Sequence, residues 1–294
     1  MLGFGIIGCG MIAKFHARAI ADVRGARLAA CFDQVPAAAD KLAEATGCKA
    51  HRKLGDLLAD PAVHVVTIGT PSGAHLEPAV AAARAGKHVI VEKPLEITLR
   101  RCDRIIDACR QAGVLLSTIM LTWLMGPVVE VRAKTALLAH ERIAVEDVAL
   151  ATVEFASGAL GVIEASTAVY PGYLKRIAIH GNEGSAVVEE EDLVKWDFEK
   201  KKPCDEAIHA AMANRKSGGG GAADPAAIGH HAHTKQFQNV VQAIKKGTAP
   251  SVDGPEGRRS VEIILAFYKS AETGKAVKLP LAGDPVLKAR RKGK

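Results

Sequence analysis

The sequence predicts an α/β protein in which a doubly wound parallel sheet at the N-terminus is followed by an α+β domain with an open-faced antiparallel sheet. Three observations lead to this fold class. Apolar runs that suit buried strands alternate with segments of helical spacing as far as Ile119. A glycine-rich turn joins the first strand to the first helix at Gly8-Cys9-Gly10. From Val128 onward the chain holds longer extended runs joined by turns, which is typical of antiparallel pairing.

Length and composition favour a two-domain globular protein. The 294 residues exceed the usual size of one hydrophobic core. The chain is 48% hydrophobic and 24% charged, it has no apolar run of membrane-spanning length, and its first residues enter a strand instead of a cleavable leader. A cytoplasmic location is therefore predicted. The six cysteines lack the spacing of a metal site or of a disulfide framework, so we expect reduced thiols.

The net charge of +7 is concentrated at the C-terminus. The last eight residues contain five Lys or Arg and no acid, and the body without them carries +2. No aromatic side chains that could stack on bases lie among these charges. We predict a solvated basic tail over residues 286–294, and neither a nucleic acid nor a membrane as partner.

The first strand ends in a turn whose residues suit a dinucleotide. Gly8 allows the sharp bend, and Gly10 has no side chain to hold a pyrophosphate away from the backbone. The free amides of Met11 and Ile12 open the following helix, where the helix dipole also attracts phosphate. The turn therefore predicts a diphosphate-binding site.

An acidic residue after the second strand supports this interpretation. Asp33 stands at about the distance downstream where dinucleotide-binding folds place the carboxylate that accepts hydrogen bonds from the adenosine ribose. The next residues, Gln34–Ala37, include no arginine for a 2′-phosphate, which Asp33 itself would repel. NAD is therefore predicted, with NADP less favoured. The alternative, a turn that merely joins a strand to a helix, agrees less well with the strand, helix and acid together.

A third strand, Val63–Gly69, ends in another candidate segment. In doubly wound sheets ligands lie beyond the carboxyl ends of the strands, so Thr70, Pro71 and Ser72 are expected beside the cofactor. His75 is either a residue of the site or a polar residue in the first turn of the next helix.

The fourth strand, His88–Val91, ends at Glu92-Lys93-Pro94. Pro94 ends the strand and restricts Lys93 to an extended conformation, which presents the lysine at the carboxyl end of the strand. A lysine there is a candidate general base or hydrogen-bond donor. The alternative is a surface ion pair between Glu92 and Lys93.

The remaining elements follow from periodicity and turn residues. Helices are predicted at Ala37–Thr46, His75–Ala85, Leu99–Gln111, Thr234–Lys246 and Pro255–Thr273. One antiparallel meander is predicted from the runs Val128–Leu137, Val145–Phe155, Ala159–Ser166, Arg176–His180, Ser185–Glu189 and Leu193–Phe198.

Three histidines lie close together before the penultimate helix. His230, His231 and His233 invite a metal interpretation, but no acidic or cysteine residue flanks them at ligand spacing. No metal site is therefore predicted.

Taken together, these features resemble the Gfo/Idh/MocA oxidoreductases, the family of glucose-fructose oxidoreductase and inositol dehydrogenase. The resemblance rests on the Gly8-Cys9-Gly10 turn, Asp33, Thr70-Pro71-Ser72 with His75, Glu92-Lys93-Pro94 and Gly254-Pro255-Glu256-Gly257. It implies a Rossmann domain over residues 1–120, a substrate and oligomerisation domain over 121–285, and a homodimer or homotetramer assembled through the open sheet. It also implies NAD-dependent hydride transfer involving a hydroxyl of a sugar, polyol or cyclitol.

The predicted catalytic residue is Lys93, which matches the active-site lysine of that family and would take the hydroxyl proton as the hydride leaves carbon. The predicted cofactor-binding residues are Gly8, Gly10, Met11, Ile12, Asp33, Thr70, Pro71, Ser72, His75, Glu92 and Lys93. Tyr170 is a candidate substrate contact, with packing against the sheet as the alternative.

The chain departs from the family pattern near residue 120. Ile119-Met120 runs directly into Leu121–Pro127, which is similar to only the last turns of the family's helix that carries an Asp and a His beside the lysine. Either residues of the natural protein are omitted here or the chain is truly shortened, and the uncapped helix end favours omission. Two other functions stay open: a non-catalytic dinucleotide-binding sensor or scaffold, and an NAD-assisted glycoside hydrolase.

Overall fold

The N-terminal part of the protein is built on six parallel strands. The computed structural model describes residues 1–118, 124–190, 192–213 and 229–287. The strands are β1 (Leu2–Ile7), β2 (Ala26–Phe32), β3 (Lys49–His51), β4 (Val65–Ile68), β5 (His88–Val91) and β6 (Leu116–Thr118). Their order across the sheet is β3-β2-β1-β4-β5-β6, so the order reverses between β1 and β4. Ligands of doubly wound sheets bind outside the carboxyl ends of the strands at such a reversal.

Helices connect these strands as the sequence predicts. They are α1 (Met11–Asp22), α2 (Pro36–Thr46), α3 (Leu54–Ala59), α4 (Leu76–Arg84) and α5 (Leu99–Gln111). Thr98 caps α5, because its hydroxyl oxygen accepts the amide of Arg101 at 3.3 Å. Gly47 ends α2 in the left-handed conformation. The predicted bounds agree to within a residue or two, whereas the short edge strand β3 was not predicted.

The predicted single meander is wrong, because the antiparallel strands form two separate sheets. One contains β7 (Val128–Ala136), β8 (Val148–Phe155) and β9 (Leu160–Ser166). The other contains β10 (Arg176–Gly181), β11 (Gly184–Glu189) and β12 (Asp192–Phe198), followed by α6 (Asp205–Ala213). Residues 167–175 between them form no strand and include Pro171, which lacks the amide needed to continue a ladder.

The chain packs as two compact units. Met1–Thr167 and His233–Lys294 form the first, and Ala168–Ala232 form the second. Within the second unit the indole N–H of Trp196 donates to Asp205 at 2.9 Å, which ties β12 to α6. The predicted division at residue 120 and the predicted tail at 286–294 stay predictions. Of the predicted helix end at Leu121–Pro127, residues 121–123 lie outside the described residues, and residues 124–127 are not helical.

The C-terminal elements are α7 (His231–Lys246), which belongs to the first unit from His233 onward, α8 (Gly254–Thr273) and the strand β13 (Val277–Lys278), which pairs with the edge of β7. On one face of the parallel sheet, α7 packs against β1, and the rings of Phe4 and Phe237 lie 5.9 Å apart. On the other face, Val261 and Leu265 of α8 join the core that contains α5. The packing of α7 brings its first turns to the carboxyl end of β5. No helix among the described residues is both long and apolar enough to cross a membrane.

Candidate dinucleotide site

The turn after β1 requires glycine at its first position. Gly8 has φ +90°, and a Cβ built there would lie 2.8 Å from backbone atoms of Gly69 and Thr70. The Gly8 amide donates to the carbonyl of Phe32 at 2.9 Å. The turn is therefore pressed against the ends of both β2 and β4, with no room for a side chain between them.

The second glycine of the turn faces open space. No atom of the described residues lies within 4 Å of a Cβ built at Gly10, and Gly10 is the residue that precedes α1. The first amides of a helix, here those of Met11 and Ile12, have no acceptor within the helix itself. Open space beside unpaired N–H donors at a helix N-terminus suits a diphosphate, so the residues present fit the predicted cofactor.

Asp33 connects the turn to the end of β2. One carboxylate oxygen accepts the amide of Cys9 at 2.7 Å, and the other accepts the amide of Val35 at 2.8 Å. A carboxylate has about four lone-pair sites, so both oxygens can accept a further hydrogen bond from a hydroxyl. Asp33 is half-buried, and it therefore orders the turn while remaining able to contact a ribose.

The loop after β4 carries the next group of predicted residues. Pro71 and Ser72 are exposed, and the hydroxyl of Thr70 donates to the carbonyl of Ala74 at 3.0 Å. His75, by contrast, is only 1% exposed. Its predicted contact with the cofactor is untested, and its side chain lies inside the protein.

The imidazole of His75 joins two loops of the site. Nδ1 lies 2.9 Å from the carbonyl oxygen of Pro94, and Nε2 lies 2.9 Å from that of Thr70. Glu96, which is fully buried, accepts the backbone amides of His75 and Leu76 and an N–H of the Arg101 guanidinium. These contacts fix the loop after β4 relative to the loop after β5.

The side chains of Lys93 and Glu92 lie in different environments. Lys93 is exposed, and the part of the chain that the structure describes contains no hydrogen bond or ion pair to its ammonium. Glu92 is buried, so the surface ion pair considered as the alternative is not formed. Its Oε2 accepts the backbone amide of Lys93 at 3.0 Å.

Two histidines from distant parts of the sequence meet the carboxylate of Glu92. Oε1 lies 2.8 Å from Nε2 of His16 on α1 and 3.3 Å from Nε2 of His233 on α7. The hydroxyl of Thr67 on β4 lies 3.1 Å from Nδ1 of His16. Burial raises the pKa of Glu92, but hydrogen bonds from the two imidazoles outweigh burial and leave it well below its usual range. Burial lowers the pKa of His16, so a carboxylate faces a neutral imidazole.

This cluster was missed at the level of the sequence. His16 lies three residues after Ala13 and four before Ile20 on the buried face of α1, and a polar residue on such a face indicates a buried partner. His233 was considered only with its neighbours in sequence. Its acidic partner is Glu92, 141 residues earlier, so no local spacing could have revealed the contact.

Family models match nearly the whole chain. Residues 2–120 match "Oxidoreductase family, NAD-binding Rossmann fold", and residues 118–279 match "Oxidoreductase family, C-terminal alpha/beta domain". The chain belongs to the Gfo/Idh/MocA oxidoreductase family. Its predicted fold class, with a Rossmann sheet and antiparallel sheets, is confirmed, as is the predicted class of nicotinamide-dependent oxidoreductase.

Two relatives align with almost the whole of this Gfo/Idh/MocA chain, and a third aligns with a smaller part of it. Myo-inositol 2-dehydrogenase of Thermotoga maritima is 25% identical over 341 residues, covering 94% of this chain and 98% of the relative. The WlbA dehydrogenase of Bordetella pertussis, solved with NADH and UDP-GlcNAcA, is 26% identical with a TM-score of 0.82, covering 95% and 98%. An inositol 2-dehydrogenase of Salmonella typhimurium is 40% identical over 114 residues, which are 37% of this chain and 33% of that protein.

The alignment with the Thermotoga maritima enzyme also bears on length. It runs over 341 residues, more than the 294 of this chain, so the relative has residues at positions where this Gfo/Idh/MocA chain has none. The family model and the NADH-bound relative support a nicotinamide cofactor.

Proposed function

We propose that this protein is an NAD-dependent dehydrogenase that transfers a hydride between nicotinamide and a CH–OH group of a sugar, polyol or cyclitol. One observation carries the proposal. The carboxyl ends of β1, β4 and β5 bring Gly10, Thr70 and Lys93 to one edge of the sheet, at the reversal of strand order. The named relatives, which act on inositol or bind NADH with a nucleotide sugar, support the substrate class.

Some residues at this edge of the sheet are assigned to binding the dinucleotide, and Lys93 is assigned to proton transfer. We assign the diphosphate to the amides of Met11 and Ile12 and the adenosine ribose to Asp33. Lys93 acts in its amine form, takes the proton of the substrate hydroxyl and becomes an ammonium. Its side-chain nitrogen is exposed and has no hydrogen-bond or ion-pair partner among the described residues, so it can lie within hydrogen-bond reach of that oxygen. Bound nicotinamide supplies the acceptor for the hydride. His75 and Glu96 hold the two loops that carry Thr70 and Lys93.

The choice of NAD over NADP is part of the proposal. The carboxylate of Asp33 lies beside the turn, where it would repel a 2′-phosphate. The exposed residues that follow, Gln34 and Val35, offer no positive charge to bind one. Calorimetric titration with each dinucleotide tests this choice, and tighter binding of NADP would contradict it.

Incubation with NAD and a panel of inositols, aldoses, uronic acids and their nucleotide sugars tests the reaction. Net formation of NADH, followed by absorbance, is the expected result. Tight NAD binding without turnover on any compound would instead favour the sensor or scaffold. Release of an aglycone from a glycoside without net NADH would favour the NAD-assisted hydrolase.

The variant Lys93→Met tests the role of the lysine. We expect turnover to fall by about a thousandfold, within the range for loss of a general base, while NAD affinity changes little. Lys41→Met, on the exposed side of α2, is the matched control and should keep full activity. Unchanged turnover in Lys93→Met would remove Lys93 from the mechanism.

Three further expectations belong to the same proposal. We place the missing residues near position 120, and an intact mass of the natural polypeptide above 30.9 kDa would support omission over true shortening. A homodimer or homotetramer through the open sheet is supported by Leu160 and Val162 of β9, which are 80% and 79% exposed. Tyr170, which is 95% exposed in the second unit, stays a candidate substrate contact.

A further inference from the structure

The cluster around Glu92 connects four secondary-structure elements through one carboxylate. Its Oε1 contacts His16 on α1 and His233 on α7, and His16 in turn contacts Thr67 on β4. Its Oε2 accepts the backbone amide of Lys93. His16 is fully buried and Glu92 is 7% exposed, so these bonds form largely out of water, where an unmade bond is costly.

The protonation pattern of the cluster follows from its donors and acceptors. A carboxylate can only accept, so Nε2 of His16 and Nε2 of His233 both donate to Oε1. Nδ1 of His16 is then free to accept from the hydroxyl of Thr67. The two imidazoles therefore bind the Glu92 carboxylate inside the protein, and no carboxylate of the described residues pairs with the side chain of the neighbouring Lys93.

We propose that His233 is a positioning residue for Lys93: together with His16 it holds the Glu92 carboxylate, and that carboxylate fixes the backbone from which the Lys93 side chain extends. The proposal rests on the proposed function, because it assigns His233 to the same active site. It differs from the sequence-based expectation for His233, which concerned only a metal site with His230 and His231.

Metal coordination is the competing explanation for the same three side chains. Their ligand atoms all lie within 4.8 Å of one another, and His and Glu are ligands that Zn²⁺ accepts. Two ligands on one tetrahedral zinc lie about 3.3 Å apart, given zinc–ligand distances of about 2.0–2.1 Å. The 2.8 Å separation of His16 and Glu92 is instead the length of a direct charge-assisted hydrogen bond.

Two substitutions of His233 with similar polarity separate the effect of its hydrogen bond to Glu92 from the effect of losing the imidazole ring. The amide nitrogen of Gln reaches about as far as Nε2 of His, whereas that of Asn reaches only about as far as Nδ1. His233→Asn should therefore lose the bond to Glu92, and His233→Gln should keep it. His231→Asn is the matched control, because His231 is exposed on the same helix.

The first readout is steady-state kinetics with NAD and the best substrate of the panel. We expect His233→Asn to lower kcat about 10- to 100-fold, the loss for one hydrogen bond to a charged group, with the KM for NAD within about twofold of the parent. His233→Gln should recover most of kcat, and the control should match the parent. Equal kcat for the Asn and Gln variants would overturn the proposal.

The second readout does not depend on turnover. Hydrogen–deuterium exchange of the Lys93 amide, which Glu92 accepts, should be about tenfold faster in His233→Asn and near the parent rate in His233→Gln. Unchanged exchange in the Asn variant would overturn the positioning role even if the protein proves to be an active dehydrogenase. If no compound is oxidised but the exchange rates follow the expected order, the proposed function fails while the network stands.

Metal analysis of the purified chain completes the test. We expect less than one tenth of an equivalent of zinc, about the background of a chain without a site, and no change in thermal stability on adding zinc or a chelator. One equivalent of zinc that is lost in both His233 variants would overturn the proposal in favour of coordination.

Discussion

Replacing each glycine of the first turn by alanine should separate folding from cofactor binding. At Gly8 the φ of +90° costs alanine about 1–2 kcal/mol. Its Cβ would also lie 2.8 Å from the backbone of Gly69 and Thr70, which adds about 1–3 kcal/mol of overpacking. Gly8→Ala should therefore lose about 2–5 kcal/mol of unfolding free energy, or about 4–10 °C in Tm at about 2 °C per kcal/mol.

At Gly10 the same methyl group meets no atom within 4 Å in the part of the chain that the structure describes. Gly10→Ala should keep its unfolding free energy within about 0.5 kcal/mol of the parent. Its affinity for NAD should fall about 10- to 100-fold, since displacing the diphosphate breaks at least one charge-assisted bond of about 1.5–3 kcal/mol.

Thermal unfolding without ligand and calorimetric titration with NAD measure the two effects on the same samples. Each variant serves as the control for the other, since the two substitutions add the same methyl group two residues apart. Parent-like NAD affinity in Gly10→Ala would refute the placement of the diphosphate at the start of α1. A parent-like Tm in Gly8→Ala would refute the close approach of the turn to the end of β4.

Three further perturbations test the surroundings of the site. Asp33→Asn should weaken NAD binding about 10- to 100-fold and NADP binding less, by calorimetry, whereas an equal loss for both would argue against a ribose contact. Arg101→Met should cost about 1–3 kcal/mol in urea unfolding, because the buried carboxylate of Glu96 loses its guanidinium partner; an unchanged midpoint would contradict this. Acidification should lower Tm in two stages. Burial lowers the pKa of His16 below 6.5, so the stability that neutral His16 provides is lost as the pH falls below 6.5. The pKa of Glu92 lies below 4.5 in the folded protein, so the stability that its carboxylate provides is lost as the pH falls below 4.5. A constant Tm from pH 7 to 4 would contradict the buried pair.

The parallel half of the fold could be predicted because its determinants are local. Continuous apolar runs, glycine turns and helical spacing each lie within a few residues, and α5 has the predicted bounds Leu99–Gln111. The antiparallel half was predicted less well, because alternation identifies a strand but not its neighbour. The six runs were therefore joined into one meander, whereas β9 and β10 belong to different sheets. The two-residue strand β13 is too short to show alternation at all.

In the candidate site, too, the contacts set by local sequence could be predicted and those between distant parts of the chain could not. Gly8, Gly10 and Asp33 could be predicted, because one turn and one strand end fix their spacing. The environment of Glu92 could not, because its partners His16 and His233 are 76 and 141 residues away and meet it only after α1 and α7 pack on the sheet.

Because α1 packs on the parallel sheet, it takes part in two regions of the candidate site. Its first amide, that of Met11, belongs to the predicted diphosphate site, and five residues further along the same helix His16 contacts the carboxylate that holds the Lys93 backbone. At a rise of 1.5 Å per residue these two points are about 7.5 Å apart along one helix. We therefore expect the same helix to set both the position of the cofactor and the position of the lysine. A substitution on α1 that tilts the helix should alter kcat and NAD affinity together, whereas one at His233, on α7, should alter kcat alone.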